Sequence, residues 1–577
     1  MTFPELSQYL QKLEKTASRN QMTEILAELF RKAQGKEIGK ICYLLQGRVA
    51  PLYEAIEFGL AEKLIMRAIA SACGVEPAVV TREFKKVGDL GSTVQSLKTA
   101  KYQSNKAENK KVNVMHVFKT LTLLANTAGE GSQEQKVQLL ADLIRELDPL
   151  SARYIVRIPL DKLRLGFSEM TILDALSWML GGDKSQREKL ETAYNVRPDI
   201  GYIAQTLKAQ GIGGLAHVKV KVGVPIIPCL CQRLPTAQEM IKKMGEVAVE
   251  PKYDGVRLQL HYQKRQGVKT FSRNLENTTA MFPELQQIGK QLNAQEAILD
   301  SEAIGVDYQT DRFIPFQETM TRKRKHEIAE ARQSVPLKFF VFDLLYLDGQ
   351  NLLTKPLIER RKLLEQTVKK GEILVVSPQI VTTSPRELRK YHDQQLKKGL
   401  EGVVVKKWHS PYEPGRRGYS WVKFKEEEGR TGKLSDTIDG VVMGYYRGQG
   451  RRTGFGIGAF LVGVRQGDNL VTLSKVGTGV SDELWQELQV KLHKLRAKDQ
   501  PKAYREVSKA LVPDVWVEPK VVVEIAGDDL TKSPLHGAGI AVRFPRLVRV
   551  RKDKSPQEAT SVGEVEQMYK NQKAAHF

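Results

Sequence analysis

The sequence is poor in the features that staple or anchor a chain. Its 577 residues hold four cysteines, Cys42, Cys73, Cys229 and Cys231. So few thiols exclude a disulfide scaffold. Cys229-Leu-Cys231 has no second pair with which to hold zinc, so buried or idle thiols in a reducing compartment are expected. No apolar run reaches the roughly 18 residues a membrane span needs. The opening MTFPELSQYLQKLEK lacks the marks of a signal peptide. No Gly-x-x-x-x-Gly-Lys-Ser/Thr loop is present to cradle phosphates with backbone amides, and no period argues for a solenoid. A cytoplasmic protein with no membrane contact is the expectation.

What is present is positive charge. Lys and Arg number 90 against 67 Asp and Glu, an excess of 23. The excess is shared by every part of the chain rather than carried by a tail. That distribution suits a polyanion touched by all parts. The length predicts three or four domains.

Three regions differ in pattern. Residues 1–220 read as helices: MTEILAELFRKA, AEKLIMRAIASAC, KVQLLADLIRELD and MTILDALSWML repeat apolar residues at helical spacing. The run VGVPIIPCLCQRLP, with three prolines, reads as a connector lying over a surface. Residues 221–430 then mix strand-like runs (EVAVEPKYD, VRLQLHYQ, VKTFSRN, AILDSEAIG, LKFFVFDLLYL, GVVVKKW) with helical ones such as PLIERRKLLEQTV, an α+β pattern with antiparallel hairpins. Residues 431–577 carry short strands with Gly-rich turns and one helix, SDELWQELQVKLHKLRAK, which suits a small all-β barrel of the OB type. The expected architecture is an all-α domain, an α+β domain and a β-barrel domain.

Within VEPKYDGVRLQL, Lys252 precedes Asp254-Gly255 and Arg257, as though a tight turn broke a strand. Such a lysine can be a solvated strand residue whose stem covers apolar surface. It can also be a nucleophile, deprotonated by burial beside other cations. Charge recurs in the neighbouring strand-like runs, where it is costly unless used. Glu250 lies two residues before Lys252, and Arg273 lies in FSRN. Asp300 and Glu302 alternate in ILDSEAI and share a face. Glu401 and Lys406 bound EGVVVK, on opposite faces by strict alternation. Lys423 and Lys425 share a face in WVKFK, Arg417 precedes them, and RVRKDK carries Arg551, Asp553 and Lys554. Converging cations suit a triphosphate, and carboxylates suit Mg²⁺.

In this order, KYDGVR, FSRN, LDSEAI, FFVFDLLYLDG, EGVVVKK, WVKFK and RKDK resemble the motifs of covalent nucleotidyltransferases, specifically the ATP-dependent DNA ligases. RYIVRIPLDKLRLGFSEMTILDAL and YNVRPDIGYIA are similar to the helical DNA-binding domain of the replicative ligases of archaea and eukaryotes, so the resemblance spans nearly the whole chain. Long eukaryotic-type N-terminal extensions are missing, and an archaeal or bacterial owner is expected. Two local departures are Pro251, where bulkier residues are commoner, and the CLC pair, in a connector usually rich in Met, Leu and Ala.

The resemblance implies that Lys252 attacks the α-phosphorus of ATP, that AMP passes from the lysine to a 5′-phosphate at a nick in double-stranded DNA, and that the 3′-hydroxyl then seals the strand. It implies that Glu250 reads the adenine amino group and Phe342 stacks on the base; on its own, Phe342 reads as a core aromatic. Glu302 would bind ribose, metal or both, and Glu401 would be the main Mg²⁺ ligand. Arg257, Arg273, Arg417, Lys406, Lys423 and Lys425 would hold phosphates, and Asp254 would shape the turn. Arg551, Asp553 and Lys554 would reach the pyrophosphate in a closed state, through a mobile joint near 428–436. Arg164 would grip DNA. A monomer serving replication, repair and recombination is implied. A sliding clamp is expected from the family alone, since no clamp-binding box is legible. The rival readings are an RNA ligase or GTP-dependent capping enzyme, and a catalytically idle DNA-binding scaffold. The missing zinc cysteine set speaks against an NAD⁺-dependent ligase.

Overall fold

The computed structural model describes the chain except residues 17, 103–111, 161, 162, 164, 308–311, 315–318, 320–334, 416, 417, 426–436, 449–455 and 575–577. Arg164, Arg417 and the joint expected near 428–436 therefore lie outside the described residues. The chain forms two compact units, Met1–Phe424 and Lys425–Phe577.

The first unit begins with helices. The four runs read from periodicity lie in Arg19–Lys32, Glu62–Cys73, Ser132–Glu146 and Glu169–Gly181. Their apolar faces join one core that extends from Phe3 to Leu215. Local chemistry sets the ends. The Asp148 carboxylate accepts the Leu150 and Ser151 amides at the start of Pro149–Arg157, and Gly182 closes Glu169–Gly181 at a φ of 75°, where a side chain would be strained. Among the described residues no single helix is long and apolar enough to cross a membrane.

The α+β part of this unit has two sheets. One orders its strands Gln232–Arg233, Trp421–Lys425, Gly402–Lys407, Val247–Pro251, Ile380–Thr382. The other runs Gly267–Ser272, Val256–Gln263, Glu296–Asp307, Leu337–Leu347, Gln350–Asn351. The Asp-Gly turn is therefore not a hairpin. Lys252–Gly255 is the bridge by which the chain leaves the first sheet for the second. Alternation in Glu296–Asp307 sends Leu299 and Ala303 into one core and Ile298 into another, so Asp300 and Glu302 leave the strand on the Ile298 side.

The proline-rich connector is also not the surface strap expected. Val224, Pro225, Ile226, Pro228 and Cys229 are buried. Helices and sheets meet around it. Tyr53, Val224 and Phe271 form one buried cluster, and Asn195 accepts the Ile227 amide on its carbonyl while its own amide donates to Pro414 O at 3.0 Å.

The second unit is a barrel. Strands Asn469–Val476, Ala459–Gln466, Ile438–Tyr446, Val522–Ala526 and Arg546–Arg551 are neighbours in that order. The returning chain closes the ring: the Ala538 amide donates to Thr472 O and the Leu547 amide to Thr478 O. Helix Asp482–Lys494 places Trp485, Leu488 and Leu492 in the barrel core. The tail forms helix Val562–Ala574, anchored in the same core by Val565.

Candidate active site

Lys252 is held by backbone. Its amide donates to Gly402 O at 2.9 Å, and its carbonyl accepts the Glu401 amide at 3.2 Å. That exchange brings the Glu401 carboxylate onto Lys252 Nζ as an ion pair. Each side chain keeps 21% exposure, so the amine is reachable. The bridge lies against Glu296–Asp307, and a Cβ at Gly255 would overlap the Ala303 carbonyl oxygen and come within 3.0 Å of Glu302 Cγ. Only glycine permits this approach.

Strict alternation misplaces Glu401. Glu401 lies just before the strand, and Gly402, at a φ of 121°, interrupts the pleat. Glu401 thus meets Lys252, and Lys406 meets Glu250, two positions earlier in the same segment.

Lys406, expected among the phosphate cations, is almost wholly buried. Its Nζ donates to Glu250 Oε2 at 2.8 Å and to Phe342 O at 3.1 Å. It also stands 4.6 Å from the Phe342 ring centre and 4.3 Å from that of Trp421. Burial pushes the Glu250 carboxyl up, with Lys406 opposing the shift. The second oxygen, Glu250 Oε1, is buried without a hydrogen-bond partner. A buried carboxylate oxygen left unpaired is costly, and a ligand's amino group would satisfy it.

Arg257 is also committed. Its guanidinium grips Asp300 with two bonds of 3.0 and 2.7 Å and donates to Cys229 O at 2.9 Å. Tyr412 completes the network, donating to Asp300 Oδ2 and accepting the Cys229 amide. Two residues along the same strand face, Gln259 brackets Ile226, accepting its amide at 2.7 Å and donating to its carbonyl at 3.2 Å. Two further along, His261 Nδ1 accepts the Gly223 amide at 3.0 Å. With Nδ1 an acceptor, the ring's proton sits on Nε2 and goes to Gln259 Oε1, 2.9 Å away. Arg257, Gln259 and His261 thus form a ladder that fastens the connector. The sequence reading missed Gln259, His261, Tyr412 and Trp421. The signal available was three polar residues at period 2 in VRLQLH, a buried polar face rather than a solvated one.

Burial, with Lys269 nearby, holds the His261 pKa down to about 3. The sign follows: above about pH 6.5 the ring is neutral folded and unfolded, and below it only the unfolded chain gains a proton. Stability is therefore full at neutral pH and lost as pH falls from about 6.5 toward 3. Between pH 6.5 and 5 the expected loss is about 2 kcal/mol. Glu302, whose carboxyl is raised by burial, titrates with the opposite sign in this window, so the His261 loss is read as the difference between the wild-type and His261→Asn denaturant midpoints at the two pH values.

Other cations and carboxylates of the first unit lie on or beside the same strands. Burial raises the Glu302 pKa to about 7, against the opposing pull of Lys252 and Arg257. In Trp421–Lys425, Val422 and Phe424 enter a core, leaving Lys423 and Lys425 on the Trp421 side. Arg273 is exposed, in a turn where Leu275 takes a φ of 67°. Asp254 is a charged neighbour of Glu302. In the second unit, Arg551 Nη1 donates to both Asp439 oxygens at 3.0 Å, Arg551 Nη2 donates to Asp553, and Lys554 donates to Asp439 Oδ2 at 2.7 Å. Asp439 is thus the shared counterion of the terminal cations, another residue the sequence reading passed over.

Among the described residues, no group of three or more His, Cys, Asp or Glu side chains could hold a metal alone. The arrangement supplies a reachable amine, two carboxylates beside it, an unsatisfied acceptor on the carboxylate that Lys406 holds, and cations along adjoining strands.

Residues 2–177 match the family described as DNA ligase N terminus, residues 228–425 the ATP dependent DNA ligase domain, and residues 453–554 the ATP dependent DNA ligase C terminal region. The chain is 44% identical to a probable DNA ligase of Dictyoglomus thermophilum, over 99% of this chain and 98% of that one. It is 40% identical to a DNA ligase of Pyrobaculum islandicum, over 99% of each. Among solved structures, Pmar-Lig_PreS3 shares the fold with a TM-score of 0.54 at 19% identity, over 94% of this chain and 99% of that one.

Proposed function

This chain belongs to the family of ATP-dependent DNA ligases, and on that premise we propose that it seals nicks in duplex DNA through a Lys252–AMP adduct. The observation that carries the mechanism is a lysine of 21% exposure fixed by backbone bonds to Glu401 and Gly402, two residues from a buried carboxylate with one unsatisfied oxygen. Glu250 Oε1 would accept the adenine amino group, and Phe342 would pack against the base. Lys406 would then serve the adenine end, steadying Glu250, rather than the triphosphate. Lys252, released from Glu401 and neutral, would attack the α-phosphorus, forming the N–P bond as pyrophosphate leaves. Lys423, Lys425 and Arg273 would hold phosphates of ATP or of the nick.

Glu302 and Glu401 flank Lys252 and offer hard oxygen donors, which fit Mg²⁺. A raised Glu302 pKa means that a cation arriving there would favour the ionised carboxylate. Two carboxylates are few, as expected for an ion that also takes water and substrate phosphate. Bound, it would neutralise phosphate charge.

The proposed domains are 1–220 for gripping DNA, 221–430 for adenylation and 431–577 for the barrel whose Arg551 and Lys554 act on pyrophosphate. A monomer is the proposed form. The DNA grip should rest on phosphate contacts and weaken steeply with salt.

The test is joining of a labelled duplex carrying a 5′-phosphorylated nick, with ATP and Mg²⁺. A sealed strand is expected; failure to join DNA while the same preparation joins RNA ends would favour the RNA-processing reading. Glu250→Gln should lower the rate of self-adenylation about 10–100-fold, the worth of a hydrogen bond to a charged group, and narrow the preference for ATP over GTP in competition. An unchanged preference would remove Glu250 from base recognition.

A further inference from the structure

The CLC pair ends in a thiol that the ligation chemistry does not use. Arg257, Lys406, Lys252 and Lys423 are all charged neighbours of Cys231, and its side chain packs on the cluster holding Phe342, Tyr412 and Trp421. Cys42, Cys73 and Cys229 are buried, whereas Cys231 is partly exposed. Its backbone is fixed on both sides. Cys229 is bonded through its amide and carbonyl to Tyr412 and Arg257, and Gln232 and Arg233 pair in parallel with Val422 and Lys423. A second, independent feature is joined to this cluster through Lys406, which stands on the Phe342 and Trp421 rings. Glu250 Oε1 is buried and unpartnered, and Lys406, bonded to the other Glu250 oxygen, is also a neighbour of the thiol.

We propose that Cys231 lines the nucleotide site and makes it a covalent modification site for Michael-acceptor electrophiles, including those carried on an adenosine-like ligand. This rests on the nucleotide reading given above. In the reaction the sulfur bonds to the β-carbon of the activated alkene, the π bond breaks, and the thiol proton ends on the α-carbon; nothing leaves. Burial holds the thiol in its protonated form, so addition is slow at neutral pH and quickens as pH rises. A group fixed on Cys231 occupies nucleotide space and blocks adenylation of Lys252. AMP already on Lys252 shields the thiol.

The experiment uses the full chain, stripped of AMP with pyrophosphate and treated with N-ethylmaleimide at about pH 8.5. Peptide mapping locates the adduct, and intact mass after ATP and Mg²⁺ reads the AMP gain. An adduct on Cys231, an AMP gain reduced about tenfold or more, and slower alkylation of pre-adenylated protein are expected. Cys231→Ser, compared with its own untreated sample, should lose the sensitivity. Alkylated Cys231 with an intact AMP gain, equal alkylation rates with and without AMP, or no adduct on Cys231 would each overturn the inference. Untreated protein that never gains AMP would instead overturn the nucleotide reading beneath it, an outcome visible in the same spectra.

Discussion

Lys252→Ala should lower self-adenylation by on the order of 10⁴-fold or more, with little change in folding. The neighbouring described lysines are not placed to substitute. Lys406 is 1% exposed and bonded to Glu250, and Lys423 and Lys425 rise from another strand. Lys252→Arg should be equally inactive, because a guanidinium keeps its proton and cannot attack phosphorus. The fold should tolerate both changes. The Lys252–Glu401 pair retains solvent contact on each side, and pairs of that kind contribute about 0–1 kcal/mol. Intact mass after ATP and thermal unfolding, measured on the same preparations, separate lost chemistry from lost structure. A variant that still gains AMP would place the nucleophile elsewhere.

Asp300→Ala should be the most destabilising single change near the site, by about 3–5 kcal/mol. Asp300 is 1% exposed and Arg257 only 16%. Removing the carboxylate strands a buried guanidinium and takes the acceptor from Tyr412. The damage should spread along the connector, since Arg257 and Tyr412 also hold Cys229. Urea unfolding of the first unit should shift to lower midpoint, and adenylation should weaken even where the protein remains folded. Replacing Asp300 and Arg257 together by apolar residues should cost less than Asp300→Ala alone, because no buried charge is then left unpaired. Equal or greater loss in the double variant would argue that Arg257 does more than support the site.

Much of this was legible in the residues. Helical periodicity located the main helices, because their apolar faces enter a single core. Alternation placed Asp300 and Glu302 together, and Lys423 with Lys425, because those strands run regularly through the positions concerned. Alternation failed at Glu401, where Gly402 leaves the pleat. Asp-Gly signals a tight turn in general, yet at 254–255 it serves a bridge between two sheets, a distinction set by long-range pairing with Gly402 and Ala303. The connector looked superficial because prolines lack donors, but Arg257, Gln259 and His261, with Tyr412 and Asn195, satisfy backbone groups along it and allow it to be buried. Charge alone could not separate the cations proposed to hold phosphates from those committed to buried carboxylates. Arg257 and Lys406 read like Lys423 in the sequence, and only the structure commits them to Asp300 and Glu250 inside the fold.

The central claim is that Lys252 carries AMP between ATP and a nick. The most direct measurement is the intact mass of pyrophosphate-stripped protein after ATP and Mg²⁺, and again after nicked duplex DNA is added. The account predicts a gain of one AMP, mapped to Lys252, that disappears as the nick is sealed. A stripped protein that gains nothing, or an adduct on Lys252 that persists on nicked DNA, would contradict it.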